Sequence, residues 1–338
     1  MTEHSLEIYK IILNRDVTFH TLVNKKWKRD DENDLDESAA FERLYTKFIE
    51  GLVGNGVWES TNHKKKGLAV MSVDPNINSL NEILVIHGND RIIEGYIDGG
   101  RYDVKRKMAT YTDVQQKEEI PKDKIITDSF YVYMYIRMNS NKGILMVESK
   151  KGISMSGVFT EYVSKKFKQR GVCTCSTQMF MPNELRTRFM EDSVLSSVTC
   201  SDSLVSSVKR NGVDEEEQFK ITIKVEPINK PMLNNRKDIV ESILNIGVKM
   251  GNSLKQLSNF SRQRGEMRND VQNSSKSFEL SDPDVVPKYP LPDDMFDDNN
   301  SILYRNRVKA KCDELLQSVQ RETYLIVPPI QQEQNDEI

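Results

Sequence analysis

The sequence predicts an α+β fold, in which a mainly antiparallel sheet with packed helices is followed by a helical C-terminal part. Three observations predict it. Residues 219–225 alternate strictly between apolar and polar side chains, as in an antiparallel strand with one exposed face. Residues 41–52 carry apolar side chains at helical spacing. Residues 128–170 have the pattern of two strands, a tight turn and a basic amphipathic helix.

The first part of the chain contains one predicted strand and one predicted helix. Ser5 to Leu13 is rich in strand-forming residues. Asp30 to Glu37 holds six carboxylates in eight residues, which indicates a solvated loop. Ser38 or the preceding acids can cap the helix that follows, and glycines end it. The apolar stripe of this helix is Phe41, Leu44, Tyr45, Phe48, Ile49 and Leu52.

Strand patterns dominate the next part of the chain. Short apolar runs predict strands at residues 68–71 and 82–87. Two further runs, 92–97 and 102–108, flank Asp98-Gly99-Gly100. Because Asp-Gly between two apolar runs is a strong hairpin signal, we expect a β-hairpin that turns at these three residues.

Residues 128–170 form one strand–turn–strand–helix unit. In the aromatic strand 129–138, the even-numbered apolar residues face one side and the tyrosines face the other. A turn at residues 139–143 leads to an apolar strand that ends in Glu148-Ser149-Lys150. A basic helix over residues 157–169 follows, with a buried stripe of Val158, Phe159, Tyr162, Val163 and Phe167.

The remaining elements are more widely spaced. The pattern of residues 172–181 predicts a strand, and Pro182 marks the start of another helix. Residues 236–250 have the pattern of a further helix. The last helix, over residues 301–322, carries the apolar stripe Val308, Cys312, Leu315, Leu316 and Val319. An apolar run at 325–329 indicates a terminal edge strand before a polar tail.

These elements predict the following organisation. We expect an α+β core domain over residues 1–228 and a helical extension over residues 229–261. The polar stretch 262–300, with prolines near its end, indicates a linker or a long surface loop. A C-terminal helix and tail occupy residues 301–338.

Composition limits the classes of protein that the chain can belong to. It has 338 residues, of which 37% are hydrophobic and 29% charged, which is too apolar for a disordered chain. The net charge of −3 excludes a global basic field, so binding to nucleic acid would require a local patch. No apolar run reaches the ~20 residues of a membrane helix and no signal peptide is visible, so we expect a cytoplasmic protein without a membrane partner.

Cysteine and histidine give little indication of a metal site. The four cysteines, Cys173, Cys175, Cys200 and Cys312, lack the paired spacing of zinc ligands, and the histidines are scattered. We therefore expect reduced thiols and no resident cofactor. Phosphate-binding glycine loops, nucleophile elbows and metalloprotease motifs are absent as well.

Glu148 and Lys150 are candidate catalytic residues. Metal-dependent nucleases of the PD-(D/E)xK type place Glu and Lys at alternating positions of one strand, so both side chains face the same phosphate. The Glu would hold Mg²⁺ or Mn²⁺, and the Lys would stabilise negative charge. The preceding strand lacks the required second carboxylate, and the nearest acids are Asp98, Asp103 and Asp128. An ordinary strand reaching solvent has the same pattern.

A basic cluster forms the candidate nucleic-acid-binding surface. Its members surround the second strand and the helix of the 128–170 unit: Lys150, Lys151, Lys165, Lys166, Lys168 and Arg170. Such cations could contact phosphates of DNA or RNA. Cations late in a helix also complement the helix dipole, which is the structural alternative.

Tyr131, Tyr133 and Tyr135 share one face of the aromatic strand. Single-strand binding proteins use such rings to stack bases, so these residues are added to the candidate interface. The alternative is a buried ladder beneath a covering helix, with hydroxyl groups at the rim.

Part of the chain resembles a group of bacterial proteins. The stretches RIIEGYIDGGRYDVKRKM, DSFYVYMYIRMNSNKGILMVESKKG and SGVFTEYVSKKF, within residues 91–167, are similar to uncharacterised bacterial proteins associated with mobile elements and phage-defence loci. The resemblance implies participation in a defence or stress response, as part of a multi-component system. It implies no catalytic residue, because the position of Glu148 need not be acidic in such proteins.

The leading hypothesis from the sequence is a cytoplasmic defence-system component that binds nucleic acid or another protein of the same system through the basic strand–helix surface. One alternative is a metal-dependent nuclease that uses Glu148 and Lys150. A second alternative is a structural subunit that forms homo-oligomers through the apolar stripe of helix 301–322.

Overall fold

The computed structural model divides the chain into two compact units, described separately below. Unit 1 comprises residues 1–182 and 291–338, and unit 2 comprises residues 183–290. The structure describes residues 4–14, 16–52, 57–63, 65–69, 84–102, 106–110, 113–121, 126–150, 154–191, 193–210, 213–228, 236–250, 253–269, 274–280, 288–295 and 304–324.

The predicted α+β class is confirmed. The helices are α1 Phe19–Lys26, α2 Glu37–Ile49, α3 Ser156–Phe167, α4 Asn183–Glu191, α5 Arg236–Leu244 and α6 Arg305–Thr323. The strands are β1 His4–Leu13, β2 Trp58–Glu59, β3 Lys66–Ala69, β4 Val85–His87, β5 Ile92–Arg101, β6 Arg106–Thr110, β7 Asp113–Ile120, β8 Ile126–Ile136, β9 Lys142–Lys150, β10 Cys175–Met179, β11 Ser193–Arg210, β12 Val213–Val225, β13 Gly247–Met250, β14 Ser253–Gln256, β15 Arg262–Asn269, β16 Ser274–Glu279 and β17 Tyr289–Pro290.

Unit 1 is built on an antiparallel sheet. Its strands pair in the order β10-β1-β9-β8-β5-β3-β2, and β4 also pairs with β5. The predicted strand–turn–strand–helix unit is confirmed as β8, β9 and α3. At its turn, the Ser140 hydroxyl accepts a hydrogen bond from the Lys142 backbone N–H at 3.0 Å. This unit supplies the two central strands of the sheet and one helix that covers it.

One face of the sheet packs against α1, α2 and α3. The even-numbered side chains of β8 enter this core, as the alternation predicts: Phe130, Val132, Met134 and Ile136. The α2 stripe is buried with them, and Asp36 caps α2 by accepting a hydrogen bond from the Ala39 N–H at 2.8 Å. Each fully buried side chain of this kind contributes roughly 1.5–3 kcal/mol, so this face contributes substantially to the stability of unit 1.

Helix α6 covers the opposite face of the same sheet. The Tyr133 hydroxyl donates to Asp313 Oδ1 at 2.6 Å, and the Tyr324 hydroxyl donates to the Lys142 carbonyl at 3.0 Å. The apolar stripe of α6 is buried: Val308, Cys312, Leu315, Leu316 and Val319. The surface predicted for self-association therefore lies inside the chain.

The hairpin predicted at Asp98-Gly99-Gly100 is wrong, because β5 runs straight through these residues. Gly99 pairs with Asp128 on β8 and lies beneath Met155. A Cβ atom at position 99 would come within 2.9 Å of Met155 Cγ. Glycine at this position permits close packing within a strand and does not mark a turn.

Unit 2 contains a four-stranded antiparallel sheet in the order β12-β11-β15-β16. The small core on one of its faces contains Leu195, Val198, Cys200, Leu257 and Phe260. The division of the chain therefore differs from the predicted one. Unit 2 begins at residue 183, which lies within the predicted core domain 1–228.

The linker predicted over residues 262–300 is also corrected, because β15 and β16 lie within it. Met267 is the only large apolar side chain of β15, so the sequence carries little strand pattern. Hydrogen bonding to β11 on one side and to β16 on the other satisfies its backbone instead. Helix α5 ends at Leu244, and the rest of the predicted helix 236–250 contains strand β13. The predicted edge strand at residues 325–329 lies outside the described residues.

Within the part of the chain that is described, no helix combines the length and the apolar character needed to cross a bilayer.

Candidate functional site

Glu148 is held in a buried position on the face of the sheet covered by α6. Its side chain is 2% exposed. One carboxylate oxygen lies 2.5 Å from His4 Nδ1, and the other accepts a hydrogen bond from the Tyr131 backbone N–H at 2.8 Å. Both oxygens therefore have protein partners, which is the arrangement expected of a buried structural carboxylate.

The structure does not bring Glu148 next to Asp98, and Asp103 lies outside the described residues. Asp98 lies on β5, which is separated from β9 by β8, and two strand spacings correspond to about 10 Å. Asp98 accepts a hydrogen bond from the Ser129 hydroxyl at 2.6 Å. The Lys150 ammonium lies 5.2 Å from the Phe130 ring centroid. No metal-binding group of three or more acid, His or Cys side chains occurs among residues whose positions are described. Catalysis by Glu148 and Lys150 with Mg²⁺ or Mn²⁺ stays a prediction.

A second buried carboxylate anchors α6 to the sheet. Glu94 is 1% exposed, and Arg305 at the start of α6 donates to it at 2.7 and 3.0 Å. The Tyr131 hydroxyl donates to the same carboxylate at 3.1 Å, and His87 Nε2 lies 2.9 Å away. The sequence contained no local signal for this network, because Arg305 is 211 residues from Glu94.

The base-stacking prediction for the tyrosine ladder is corrected by its burial. Tyr131 and Tyr133 are 0% exposed beneath α6, and burial raises the pKa of both phenols. The Tyr135 ring packs edge-on against Tyr324, with 6.2 Å between ring centroids. The ladder therefore follows the structural alternative, with rings under a helix and hydroxyls bonded at its rim.

Lys165 is committed to an internal contact. Its ammonium lies 2.7 Å from Glu161 on the same helix and donates to the Thr61 hydroxyl at 2.6 Å. Glu161 also accepts hydrogen bonds from the Ser60 hydroxyl and the Thr61 N–H. Burial would raise the pKa of this carboxyl, but the hydrogen bonds from Lys165, Ser60 and Thr61 outweigh it and hold the pKa well below its usual value.

Three other cations of the predicted surface, Lys166, Lys168 and Arg170, lie where the C-terminal ends of α1 and α3 meet. Lys26 Nζ donates to the carbonyl oxygens of Lys166 at 2.5 Å and Lys168 at 2.7 Å. These contacts satisfy carbonyls at the end of α3 and bring the basic last turn of α1 against that of α3. We call the resulting group the two-helix basic surface; its members are Lys25, Lys26, Lys166, Lys168 and Arg170.

Crowding of like charges is evident within the two-helix basic surface. Burial lowers the pKa of Lys26, and the neighbouring Lys166 lowers it further. Burial and the neighbouring Lys47 lower the pKa of Lys166, against the opposing effect of Glu50. Lys168 and Arg170 are exposed. A bound anion would relieve this repulsion, because it would favour the charged forms of these lysines.

Lys25 and Lys26 were missed in the sequence. They end α1, a short helix that follows the N-cap Thr18, and the basic residues of its last turn were the available signal. Their approach to α3 depends on a contact between residues 140 positions apart, which no local pattern predicts. Lys151, a member of the predicted surface, lies outside the described residues.

Comparison with protein-family models, with curated proteins and with solved structures gives no match to this chain.

Proposed function

We propose that this chain is a nucleic-acid-binding component of a bacterial defence-type system and that it contacts a nucleic-acid backbone through the two-helix basic surface. The defence context rests on the resemblance of residues 91–167. The binding activity rests mainly on one observation, the bridge from Lys26 to the end of α3, which gathers cations from two helices.

The chemistry of this surface suits a phosphate backbone. Lys26 offsets the partial negative charge of the α3 C-terminus, so the nearby Lys168 and Arg170 are not needed for that purpose. An Arg offers a planar fork of donors for phosphate oxygens, and Lys offers a mobile point charge. Contacts of this kind fix no base sequence, so we expect binding that depends on salt and little on sequence.

The proposal is tested by charge reversal of the exposed members. Lys168→Glu together with Arg170→Glu should weaken the binding of a fluorescein-labelled 20-nucleotide strand or 20-base-pair duplex by at least tenfold, measured by fluorescence anisotropy at low salt. The control is Lys311→Glu together with Arg321→Glu on α6, which changes net charge equally. Equal losses in both variants, or a loss in neither, would rule out the two-helix basic surface.

A further inference from the structure

The sheet of unit 2 has an open edge along strand β12. On one side, β12 pairs with β11 over its whole length, from Val213 to Val225. On the other side, no strand pairs with it anywhere in the described part of the chain. A row of backbone N–H and C=O groups therefore faces away from the sheet, and such a row can pair with a strand of another molecule.

The charges of β12 are separated along the strand. Proteins commonly protect an edge with a short strand, with proline or with lysines. Strand β12 has 13 residues and no proline, and its lysines, Lys220 and Lys224, both lie in its second half. Four acids, residues 214–217, occupy the first half. A second copy of β12 would be repelled in a parallel arrangement, but its acids would approach these lysines in an antiparallel one.

Phe219 is the middle residue of β12. Ile221 and Ile223 pack against the core of unit 2, and the alternation of the strand puts Phe219 on the same face. Phe219 is nevertheless 44% exposed, and Leu204, its neighbour on β11, is only half-buried. The core therefore ends before Phe219 and leaves an apolar side chain at the middle of the open edge.

Symmetry restricts how two copies of β12 can pair. A two-fold axis perpendicular to the sheet keeps each side chain on its own face, so one residue must lie on the axis, opposite its own copy. An axis at Glu216, Glu217 or Lys220 would place like charges opposite each other. An axis at Gln218 would place each Phe219 ring opposite a carboxylate. An axis at Phe219 avoids both conflicts and pairs the strand over its full length.

We propose that β12 pairs with β12 of a second copy of this chain, antiparallel and with the two-fold axis at Phe219. The two phenyl rings then form a cross-strand aromatic pair. On the other face, Lys220 lies diagonal to Glu216 of the second copy, about 7–8 Å away and within reach of its long side chain. Both side chains are exposed, and no ion pair or side-chain hydrogen bond engages either of them within the described residues.

This inference goes beyond the proposed function, because it assigns the open edge of β12 to self-association. The pairing joins the sheets of two copies into one continuous sheet. It uses no residue of the two-helix basic surface. A chain that fails to bind nucleic acid can therefore still form the dimer, and the two proposals can fail separately.

The first test follows the mass of the full chain by analytical ultracentrifugation. One paired edge buries less surface than a standard interface, so we expect a dissociation constant of about 1–100 μM. Phe219→Thr should raise this constant by about tenfold, because the aromatic pair is lost, and Phe219→Tyr should keep it. Leu254→Thr is the matched control, since Leu254 is 75% exposed on β14 of the same unit. A wild-type chain that stays monomeric over this range would overturn the inference.

Charge reversal tests the antiparallel contact. Lys220→Glu alone and Glu216→Lys alone should each weaken the dimer, because each change brings like charges together, whereas the double variant should restore it. The two residues are four positions apart on an extended strand, about 13 Å, so they cannot contact each other within one chain. Restoration therefore reports a contact between copies. A dimer that is indifferent to both single changes, or that the double change does not restore, would overturn the inference.

A disulfide tests the position of the axis. In Phe219→Cys, the two introduced thiols lie opposite each other, with about 4.5–5.5 Å between Cα atoms, which is within the range of a disulfide. Oxidised glutathione should convert this pair of thiols into a disulfide, and a non-reducing gel should show a covalent dimer. Thr222→Cys is the control, because the proposed register places residue 222 opposite residue 216 of the second copy. Cross-linking at position 222 as fast as at position 219 would overturn the inference.

Discussion

At the scale of single residues, buried carboxylates have structural partners in place of an open coordination site. Glu148 contacts His4 and the Tyr131 N–H, and Glu94 contacts Arg305. The alternation of side chains along β9 predicted Glu148 and Lys150 on one face of the strand. It could not predict which residues would contact Glu148 there. His4 is 144 residues from Glu148 in the sequence, and only the antiparallel pairing of β1 with β9 brings them together.

Replacement of Glu148 should therefore affect stability. Glu148→Ala leaves the Tyr131 N–H without its acceptor, and we expect a loss of about 1–3 kcal/mol in the free energy of unfolding. Urea denaturation followed by circular dichroism measures this loss. Glu50→Ala, at the exposed C-cap of α2, is the control. If Glu148→Ala kept full stability and abolished a metal-dependent nuclease activity, Glu148 would instead be catalytic.

Glu161 should contribute a pH-dependent part of the stability. Its pKa is lowered in the folded state, so its contribution is present above the unfolded carboxyl pKa of about 4.3 and is lost as pH falls below that value. The wild-type chain should lose more stability between pH 5 and pH 3 than Glu161→Gln, measured as the urea midpoint. Identical losses would mean that the hydrogen bonds to Glu161 do not favour its charged form.

At the scale of elements, α6 is fixed to the sheet by polar contacts at its start and in its middle. Arg305 binds Glu94, and Asp313 accepts from Tyr133. Its apolar stripe was visible in the sequence, but the stripe alone could not distinguish packing within the chain from packing against a second copy. The sheet explains why α6 packs within the chain. Its Tyr133 and buried Glu94 are the bonding partners of Asp313 and Arg305 on α6.

Arg305→Leu should loosen α6. The change leaves Glu94 buried without its guanidinium partner, which costs about 3–5 kcal/mol when a buried ion pair loses one member. Cys312 is 0% exposed on α6, and burial raises the pKa of its thiol, so it should react slowly with a thiol reagent in the native protein. Reaction at Cys312 should become faster in Arg305→Leu, while Cys200 in unit 2 keeps its rate. Unchanged labelling of Cys312 would show that α6 does not depend on this ion pair.

Elements with a strongly periodic pattern of apolar side chains were predictable from the sequence. Strands held mainly by backbone hydrogen bonds to neighbouring strands were not. The alternation of β8 and the stripe of α2 are each fixed by a buried face, so the sequence carries their pattern. Strand β15 is hydrogen-bonded on both sides and has mostly polar side chains, so its pattern is weak. At Gly99, close packing beneath Met155 produced the same signal as a turn.

At the scale of the whole molecule, the charge is distributed unevenly. The net charge is −3, yet the two-helix basic surface in unit 1 concentrates cations. The total therefore conceals a local field that a polyanion can use. The predicted strand–helix surface contributed Lys166, Lys168 and Arg170 to this surface. The sequence did not indicate that Lys25 and Lys26 belong to this surface. Only the fold brings the end of α1 against the end of α3.

The central claim is that the two-helix basic surface contacts a nucleic-acid backbone, and the salt dependence of binding tests it most directly. Each phosphate contact releases counterions and adds about 0.7–0.9 to the slope of log affinity against log salt concentration. Neutralising Lys168 and Arg170 to Gln should lower that slope by about 1.4–1.8, with single strands at the low end. A slope that is the same in the wild-type chain and in this variant would contradict the claim.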